Sequence, residues 1–165
     1  RLPQGKCGRA RRHHGYRTMS TIYTSAEEAE DAFYEAIGRG DIDAIMQVWS
    51  DEEEIVCIHP TGQRLTGSTA IRDSWQTIFS TNANLTVHAQ RVICWQSAII
   101  AVHSVTEVLF VGDDPTPHGP VLSTNVFQRG ANGWRLISRH TSTGVEGSHE
   151  AALGESASSS GRTLH

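Results

Sequence analysis

The order of two residue periodicities constrains this chain more than any other feature: helical spacing comes first and strand-like alternation follows. Residues 26–39 repeat apolar side chains every three or four positions, as an amphipathic helix does. Ser25, with Glu28 three residues later, predicts the beginning of this helix, and Gly38 and Gly40 predict its end. Two further helices are predicted over residues 42–50 and 68–82, capped by Asp41 and Ser68.

The second half of the chain is typical of consecutive β-strands joined by tight turns. It is rich in Val, Ile, Thr and aromatic residues, and Gly, Asn and Pro are concentrated between the runs. Helices followed by antiparallel strands predict an α+β fold, in which about three N-terminal helices pack on a strongly curved, mostly antiparallel sheet. Such a sheet, closed by helices on its concave side, leaves a cone-shaped cavity, the default position for a binding site. The predicted strands are 54–60, 85–95, 97–111, 121–129 and 134–142.

Charge is unevenly distributed along the chain. Residues 1–18 contain six of the 14 basic residues and no acidic one, whereas residues 19–144 contain 7 basic and 15 acidic residues, a net charge of -8. We expect residues 1–21 to be a disordered basic leader before a natural start at Met19, with a nucleic-acid- or membrane-binding arm as the alternative. Small and polar residues dominate 144–165, which we expect to be a disordered tail. The folded domain is therefore expected over 22–143.

The composition also argues against several classes of protein. A net charge of -4 disfavours nucleic-acid binding, and no apolar run in the sequence approaches the roughly 18 residues that a membrane span requires. No apolar segment of a signal peptide follows the basic start. Three cysteines are too few for the disulfide framework of a small secreted protein. We therefore expect a soluble cytoplasmic protein that binds neither nucleic acid nor membranes.

Several short motifs follow one another along the predicted domain. They are Gly40-Asp41 between the first two helices, Ile58-His59-Pro60-Thr61-Gly62 at the end of the first strand, Gly67, Ile71 and Ser74-Trp75 around the third helix, and the strand from Trp134 to Ser142. In this order they resemble the SnoaL-like domains of the nuclear transport factor 2-like (ketosteroid isomerase-like) superfamily. The resemblance covers about residues 22–143 and implies the cone-shaped fold. It implies no single activity, because the superfamily includes isomerases, polyketide cyclases, dehydratases, hydrolases and non-catalytic binding and assembly domains.

Ketosteroid isomerase gives the most detailed comparison of site residues. In that family a general-base Asp precedes Pro-x-Gly at the end of the equivalent strand, and His59 occupies this position here. A histidine can act as a base near neutral pH, because its unperturbed pKa is about 6.5. The oxyanion-binding groups of that family are unmatched: Phe33 falls at the tyrosine position, with Tyr34 one residue away on a different face, and 121–128 contains no acidic residue. The resemblance therefore implies that the chain is not a ketosteroid isomerase.

Strand alternation predicts which side chains line the cavity. His103 and Glu107 share one face of their strand, and if His140 faces inward, Arg139 faces outward. An apolar wall with a few polar groups suits a small, mostly apolar organic ligand. We expect two catalytic residues, His59 and His140, and a pocket formed with Trp49, Trp75, Phe79, His103 and Asn125.

Each of these residues also has a purely structural interpretation, and the sequence alone does not decide between the two. His59 can cap the strand end, and His140 can be a core or dimer-interface histidine. His103 can be structural or exposed, and Trp49 and Trp75 have the helical spacing of core residues. No metal or cofactor motif is present in the sequence, such as His-Glu-x-x-His, Cys-x-x-Cys or a Gly-rich phosphate loop, so we expect neither a metal nor a cofactor.

Three functions are consistent with the sequence. The first is a proton-transfer enzyme of the isomerase, cyclase or dehydratase type, with His59 as base and His140 or Asn125 as hydrogen-bond donor. The second is a small-molecule-binding domain without chemistry, and the third is an oligomerisation module, because the chain also resembles kinase association domains. Since sheets of this superfamily commonly pair through their outer face, the resemblance also implies a homodimer.

Overall fold

Three helices come first along the chain and four long strands last, as the two periodicities predict. The structure is a computed structural model that describes residues 21–82 and 84–144, so the predictions for the leader and for the tail beyond 144 lie outside the described residues. The helices are α1 (Ala26–Arg39), α2 (Ile42–Val48) and α3 (Ser68–Thr81). The strands are β1 (Val56–Ile58), β2 (Arg64–Thr66), β3 (Leu85–Gln96), β4 (Ile100–Val111), β5 (His118–Gly130) and β6 (Gly133–Thr143).

Helix α1 begins and ends where the sequence predicts. The Ser25 hydroxyl accepts a hydrogen bond from the Glu28 backbone N–H at 3.0 Å, while the Glu28 carboxylate accepts from the backbone and hydroxyl of Thr24. Gly40 closes the helix at φ 62°, a left-handed conformation that glycine adopts without steric cost. The capping signals of α1 are therefore confirmed, although the carboxylate bonds one residue earlier than in the capping box.

The caps of the other two helices differ from each other. The Asp41 carboxylate accepts from the Ala44 N–H at 2.9 Å, as the sequence predicts for α2. The predicted cap of α3 at Ser68 is wrong, because Gly67 occupies the cap position and Ser68 is already helical. The cap residue has φ 83°, which favours glycine, and no side chain caps the helix.

The six strands form one mixed sheet in the order β2-β1-β6-β5-β4-β3. Strand β1 runs parallel to β6, and every other neighbouring pair is antiparallel. The parallel pairing places Cys57 opposite Arg139 and Ile58 opposite His140. The α+β fold with three helices on a curved, mostly antiparallel sheet is thus confirmed, and the end of β1 lies beside the end of β6.

A bulge in β6 changes which side chains face the helices. Ile137 is an extra residue, because its neighbours on either side pair with consecutive residues of β5. Before the bulge, Trp134 and Leu136 are buried against the helices. After it, Arg139 and Thr141 are the buried residues. The bulge therefore reverses the alternation along the strand.

The hydrophobic core lies between the three helices and the inner face of the sheet. Full burial of one large apolar side chain contributes about 1.5–3 kcal/mol, so this layer supplies most of the stability. Its largest members with less than 2% exposure are Phe33, Ile37, Ile45, Ile55, Ile71, Phe127 and Leu136.

Candidate functional site

A cavity of about 860 Å³ lies between α3 and the inner face of the sheet. Its volume falls within the roughly 300–1,000 Å³ typical of small-molecule sites. Most of the area of its wall is apolar, and the polar side chains that line it include five from the end of β1 and from α3, β4 and β6. The apolar wall includes Ile37, Leu65, Ile78, Leu85, Val87, Leu109, Val111 and Val121. These five side chains, which we call the polar cluster, are His59, Ser74, Glu107, Arg139 and Thr141.

The pairing of β1 with β6 brings part of the polar cluster together. Since Cys57 pairs with Arg139 and both are buried, His59, two residues further along, points to the same side of the sheet. The Thr141 hydroxyl donates to the backbone carbonyl of Ile58 at 2.8 Å, which holds the two strand ends together.

The hydrogen bonds of His59 determine which ring nitrogen carries the proton. Nε2 of His59 lies 3.1 Å from Oγ of Ser74, and the Ser74 hydroxyl donates its single hydrogen to the Ile71 carbonyl at 2.7 Å. The Ser74 oxygen can therefore only accept from His59, so the proton is on Nε2 and Nδ1 has a free lone pair. Within 21–82 and 84–144, no group forms a hydrogen bond with Nδ1, and this nitrogen is not fully buried. His59 thus presents an unprotonated nitrogen that can accept a proton.

The surroundings keep His59 neutral. Burial lowers the pKa of His59 below its ordinary value of 6.5, because it disfavours the imidazolium, and the positive charge of Arg139 lowers it further. The ring packs edge-on against Trp75, with the ring centroids 5.6 Å apart. The Cys57 sulfur lies 3.9 Å from Nε2, but burial raises the pKa of this thiol to about 11, so it stays protonated and is a poor nucleophile.

Arg139 is a buried cation with a defined counter-ion. Its Nη2 donates to Oε2 of Glu107 at 2.8 Å, and its Nη1 donates to Oδ1 of Asn125 at 2.9 Å. The Tyr34 hydroxyl donates to the other Glu107 oxygen at 2.6 Å. Burial alone would lower the pKa of Arg139, but the Glu107 charge outweighs it and raises the pKa, so the guanidinium is charged at all ordinary pH values. Its buried Nε has no acceptor among the described residues.

A second buried carboxylate lies deeper, on α1. Glu30 accepts hydrogen bonds from Nδ1 of His103 at 3.0 Å and from Asn125 at 2.7 Å, and it also pairs with Arg91. Burial alone would raise the pKa of Glu30, but these hydrogen bonds outweigh it and hold the pKa below its usual value. Because Asn125 also contacts Arg139, the Glu30 network is continuous with the polar cluster.

Comparison with known families shows which family this chain belongs to. The family model of the SnoaL-like domain matches residues 26–146, nearly three quarters of the chain. The chain is a SnoaL-like domain. The predicted resemblance is confirmed, and the match covers all three helices and all six strands.

Solved structures similar to this SnoaL-like domain carry diverse names. A protein from Thiobacillus denitrificans, named for the association domain of calcium/calmodulin-dependent protein kinase type II, is 32% identical, with a TM-score of 0.71 over 75% of this chain and 98% of that one. A Streptomyces avermitilis protein, named as a dehydratase of the NTF2-like family, is 28% identical, with a TM-score of 0.64 over 71% and 91% of the two chains. A ketosteroid isomerase-like protein from Erwinia carotovora atroseptica shares the fold at 17% identity and a TM-score of 0.58, over 71% and 92%.

Among curated proteins, the F-box protein SKIP8 of Arabidopsis thaliana is 26% identical over 112 residues. The match covers 67% of this chain and 46% of the plant protein. The chain therefore spans less than half the length of that relative.

The SnoaL-like domain brings only some of the predicted site residues to the cavity. His59 and Trp75 line it, and Phe79 packs beside Trp75 with the ring centroids 5.8 Å apart. His103 and Asn125 face inward, as the alternation predicts, but they are fully buried in the Glu30 network. They can act on the cavity only through their neighbours.

Trp49 and His140 lie elsewhere. Trp49 is a buried core residue that lines a separate cavity of about 300 Å³ near the β5–β6 turn. The expected inward orientation of His140 is wrong: its side chain is exposed on the outer face of the sheet. The bulge at Ile137 is the physical reason, because it turns Arg139 inward and His140 outward.

Sequence reasoning missed several groups near the cavity. Arg139 was expected on the outer face, and Tyr34 on a face of α1 that does not meet the site. The structure shows Phe33 in the core and the Tyr34 hydroxyl on Glu107, because the curved sheet covers a broad arc of α1. The alternation of β4 did contain the signal for Glu107, which is buried on the same face as His103.

Residues 21–82 and 84–144 contain neither a helix that could span a membrane nor a candidate metal site. No helix there is long and apolar enough to cross a membrane. In the same residues, no group of three or more His, Cys, Asp and Glu side chains is placed to hold a metal ion.

Proposed function

We propose that this SnoaL-like domain binds a small, mostly apolar organic molecule in the cavity and transfers a proton next to a carbonyl group of that molecule. The reaction is of the isomerase, cyclase or dehydratase type, with His59 as general base. The observation that carries the proposal is the free Nδ1 of a neutral His59 in the same cavity as the buried cation Arg139.

The proposed reaction uses the two groups in sequence. His59 Nδ1 takes a proton from the carbon next to the carbonyl, the electron pair of the C–H bond forms a carbon–carbon double bond, and the π pair of the carbonyl moves to its oxygen, giving an enolate. A guanidinium N–H of Arg139 would donate a hydrogen bond to the oxygen as negative charge develops on it, and the apolar wall excludes water from this contact. The imidazolium of His59 then returns the proton to the same or another carbon, so the protein ends as it began.

The similar structures support this class of reaction without fixing the substrate. One neighbour at 28% identity is named as a dehydratase, and the family match covers the residues that form the polar cluster. In a related fold, different side chains can serve the same steps, so the missing ketosteroid isomerase residues do not oppose proton transfer.

The experiment uses 4-phenylbutan-2-one as the probe, since it combines an apolar ring with an acidic C–H next to a carbonyl. Exchange of its protons for deuterium in D₂O is followed by NMR, and binding is measured by calorimetry. The wild-type protein is expected to accelerate exchange, and His59→Asn to lower the rate about 100-fold, the usual contribution of a general base, with binding retained. His88→Asn, an exposed histidine on the outer side of the sheet, is the matched control and is expected to keep the full rate.

Two results would contradict the proposal in different ways. Binding without acceleration by the wild-type protein would leave a ligand-binding domain without this chemistry. Full exchange activity in His59→Asn would remove His59 as the base and leave the cavity as a catalytic site of another design.

A second function, self-assembly, is favoured by the outer face of the sheet and by the 32% identity to the protein named for a kinase association domain. Nine outward side chains of β4, β5 and β6 form a three-by-three grid, and none of the nine is Asp, Glu, Lys or Arg. We propose that two copies pair through this grid, because the strongly acidic domains repel each other elsewhere. The rows of the grid are Val102, Val126 and Ser138, then Ser104, Thr124 and His140, then Thr106, Leu122 and Ser142.

A further inference from the structure

The buried charges that line the cavity nearly cancel each other. The titratable side chains that line it are His59, Asp73, Glu107, His118 and Arg139. Asp73 and His118 are exposed, and His59 is neutral, which leaves Glu107 and Arg139 as the buried charges. Their side chains are only 3% and 5% exposed, and the 2.8 Å contact between them makes each the counter-ion of the other.

Glu107 is held firmly in this role. One of its oxygens accepts from Arg139, and the other accepts from the Tyr34 hydroxyl at 2.6 Å. The remaining buried carboxylate of the network, Glu30, is already paired with Arg91 and His103, so it does not replace Glu107 beside Arg139. The positive charge of Arg139 is therefore compensated before any ligand enters.

This compensation has opposite consequences for two kinds of ligand. A ligand carboxylate bound to Arg139 would lose its hydration. The negative charge of Glu107, which is already paired with Arg139, would also repel it. Among the described residues that line the cavity, Arg139 is the one permanent cation, so no second positive charge would offset that cost. A carbonyl oxygen can accept from a guanidinium N–H and adds no charge.

We propose that Glu107 sets the charge selectivity of the cavity: by neutralising Arg139, it restricts the site to uncharged carbonyl compounds and excludes carboxylates of the same shape. The proposal rests on ligand binding in the cavity, as in the proposed function, and not on proton transfer. It gives Glu107 a specificity-determining role that the proton-transfer steps do not require.

The test compares two probes of equal shape by calorimetry at pH 7.5. They are 4-phenylbutan-2-one and 3-phenylpropanoate, in which a carboxylate oxygen replaces the ketone methyl group. The wild-type protein is expected to bind the ketone at least about tenfold more tightly, because the carboxylate meets a like charge during desolvation. In Glu107→Gln, 3-phenylpropanoate is expected to gain at least about tenfold and to become the tighter ligand, since a freed guanidinium pairs strongly with a carboxylate.

A matched control separates local from overall charge. Asp43→Asn removes one negative charge from an exposed pair with Arg72, outside the cavity, and is expected to leave the ratio of the two affinities unchanged. If Glu107→Gln does not fold, Glu107→Asp shortens the reach of the carboxylate toward Arg139 and is expected to raise 3-phenylpropanoate affinity about threefold, because the ion pair is weakened.

The outcomes distinguish this proposal from the proposed function. Equal affinity of the wild-type protein for both probes, or an unchanged ratio in the folded Glu107 variant, would overturn the role of Glu107 and leave cavity binding intact. A wild-type protein that binds neither probe would remove cavity binding of this ligand class, and charge selectivity with it.

Discussion

Ser74 and His59 form a hydrogen bond with a fixed direction, although they lie on α3 and at the end of β1. The Ser74 hydroxyl is committed to the Ile71 carbonyl one helical turn earlier, so its oxygen accepts from Nε2 of His59. The backbone of a helix thereby selects the tautomer of a histidine 15 residues away. Ser74 is a positioning residue for the proposed base.

Replacing Ser74 by Ala is expected to lower the rate of exchange of 4-phenylbutan-2-one about tenfold, because the ring loses its fixed tautomer and orientation. The effect should fall on kcat with KM nearly unchanged, and Ser74→Thr should restore most of the rate. Ser80→Ala is the matched control, since the Ser80 hydroxyl makes the same kind of hydrogen bond, to Thr77, on an exposed part of α3. Equal rates in wild type and Ser74→Ala would show that the hydrogen bond does not orient the base.

The pH dependence of exchange should follow the neutral form of His59. Burial and the charge of Arg139 lower the pKa of this imidazole, so the group loses its proton below pH 6.5. The rate is therefore expected to be level at neutral pH and to fall on acidification through a midpoint below 6.5. A rate profile measured by NMR from pH 4.5 to 8.5 checks this, and a midpoint above 6.5 would contradict the assignment.

The Glu30 network should contribute to stability more than to catalysis. Glu30→Ala removes the acceptor shared by His103, Asn125 and Arg91, and we expect it to lower the free energy of unfolding by about 3 kcal/mol. The control is Glu35→Ala on the same helix, whose carboxylate is 72% exposed and pairs with Arg39. Chemical denaturation should show no measurable change for this control. Similar losses in both variants would mean that the buried network stabilises no more than a surface pair.

The outer face of the sheet should be the contact surface of a homodimer. Leu122 lies on this grid and is 48% exposed, so Leu122→Glu is expected to give a monomer by introducing a carboxylate at the contact. Ile22→Glu changes a side chain that is 63% exposed away from the grid, and it should leave the dimer intact. Sedimentation equilibrium at micromolar concentration measures both masses. A monomeric wild-type protein would refute the pairing.

The fold was predictable from the sequence because its signals are local. Capping residues such as Ser25 and Asp41 mark helix starts, and two of the three turns between the long strands contain glycine or are flanked by it. Position His59 could also be found, since it follows a buried strand and precedes a proline. These features depend on neighbours along the chain, and the structure has the predicted elements within a few residues of their predicted ends.

The composition of the site was less predictable, because it depends on contacts between distant segments. A bulge has no clear signal in one sequence, and the single extra residue at Ile137 decided between Arg139 and His140. The inward position of Tyr34 depends on how far the sheet curves around α1, which no spacing on the helix reveals. The partner of Glu30 on β3, Arg91, lies 61 residues away.

The position of the extra residue in β6 decides which of two adjacent side chains the strand presents to the cavity. Arginine and histidine are adjacent after the bulge, and only one of them can face the cavity. Moving the insertion to the far side of this pair would replace a guanidinium by an imidazole on the cavity side of the strand. The hydrogen-bonding groups in the cavity would then change without any substitution in the strand, so a backbone irregularity, as much as residue identity, determines which groups such a site presents.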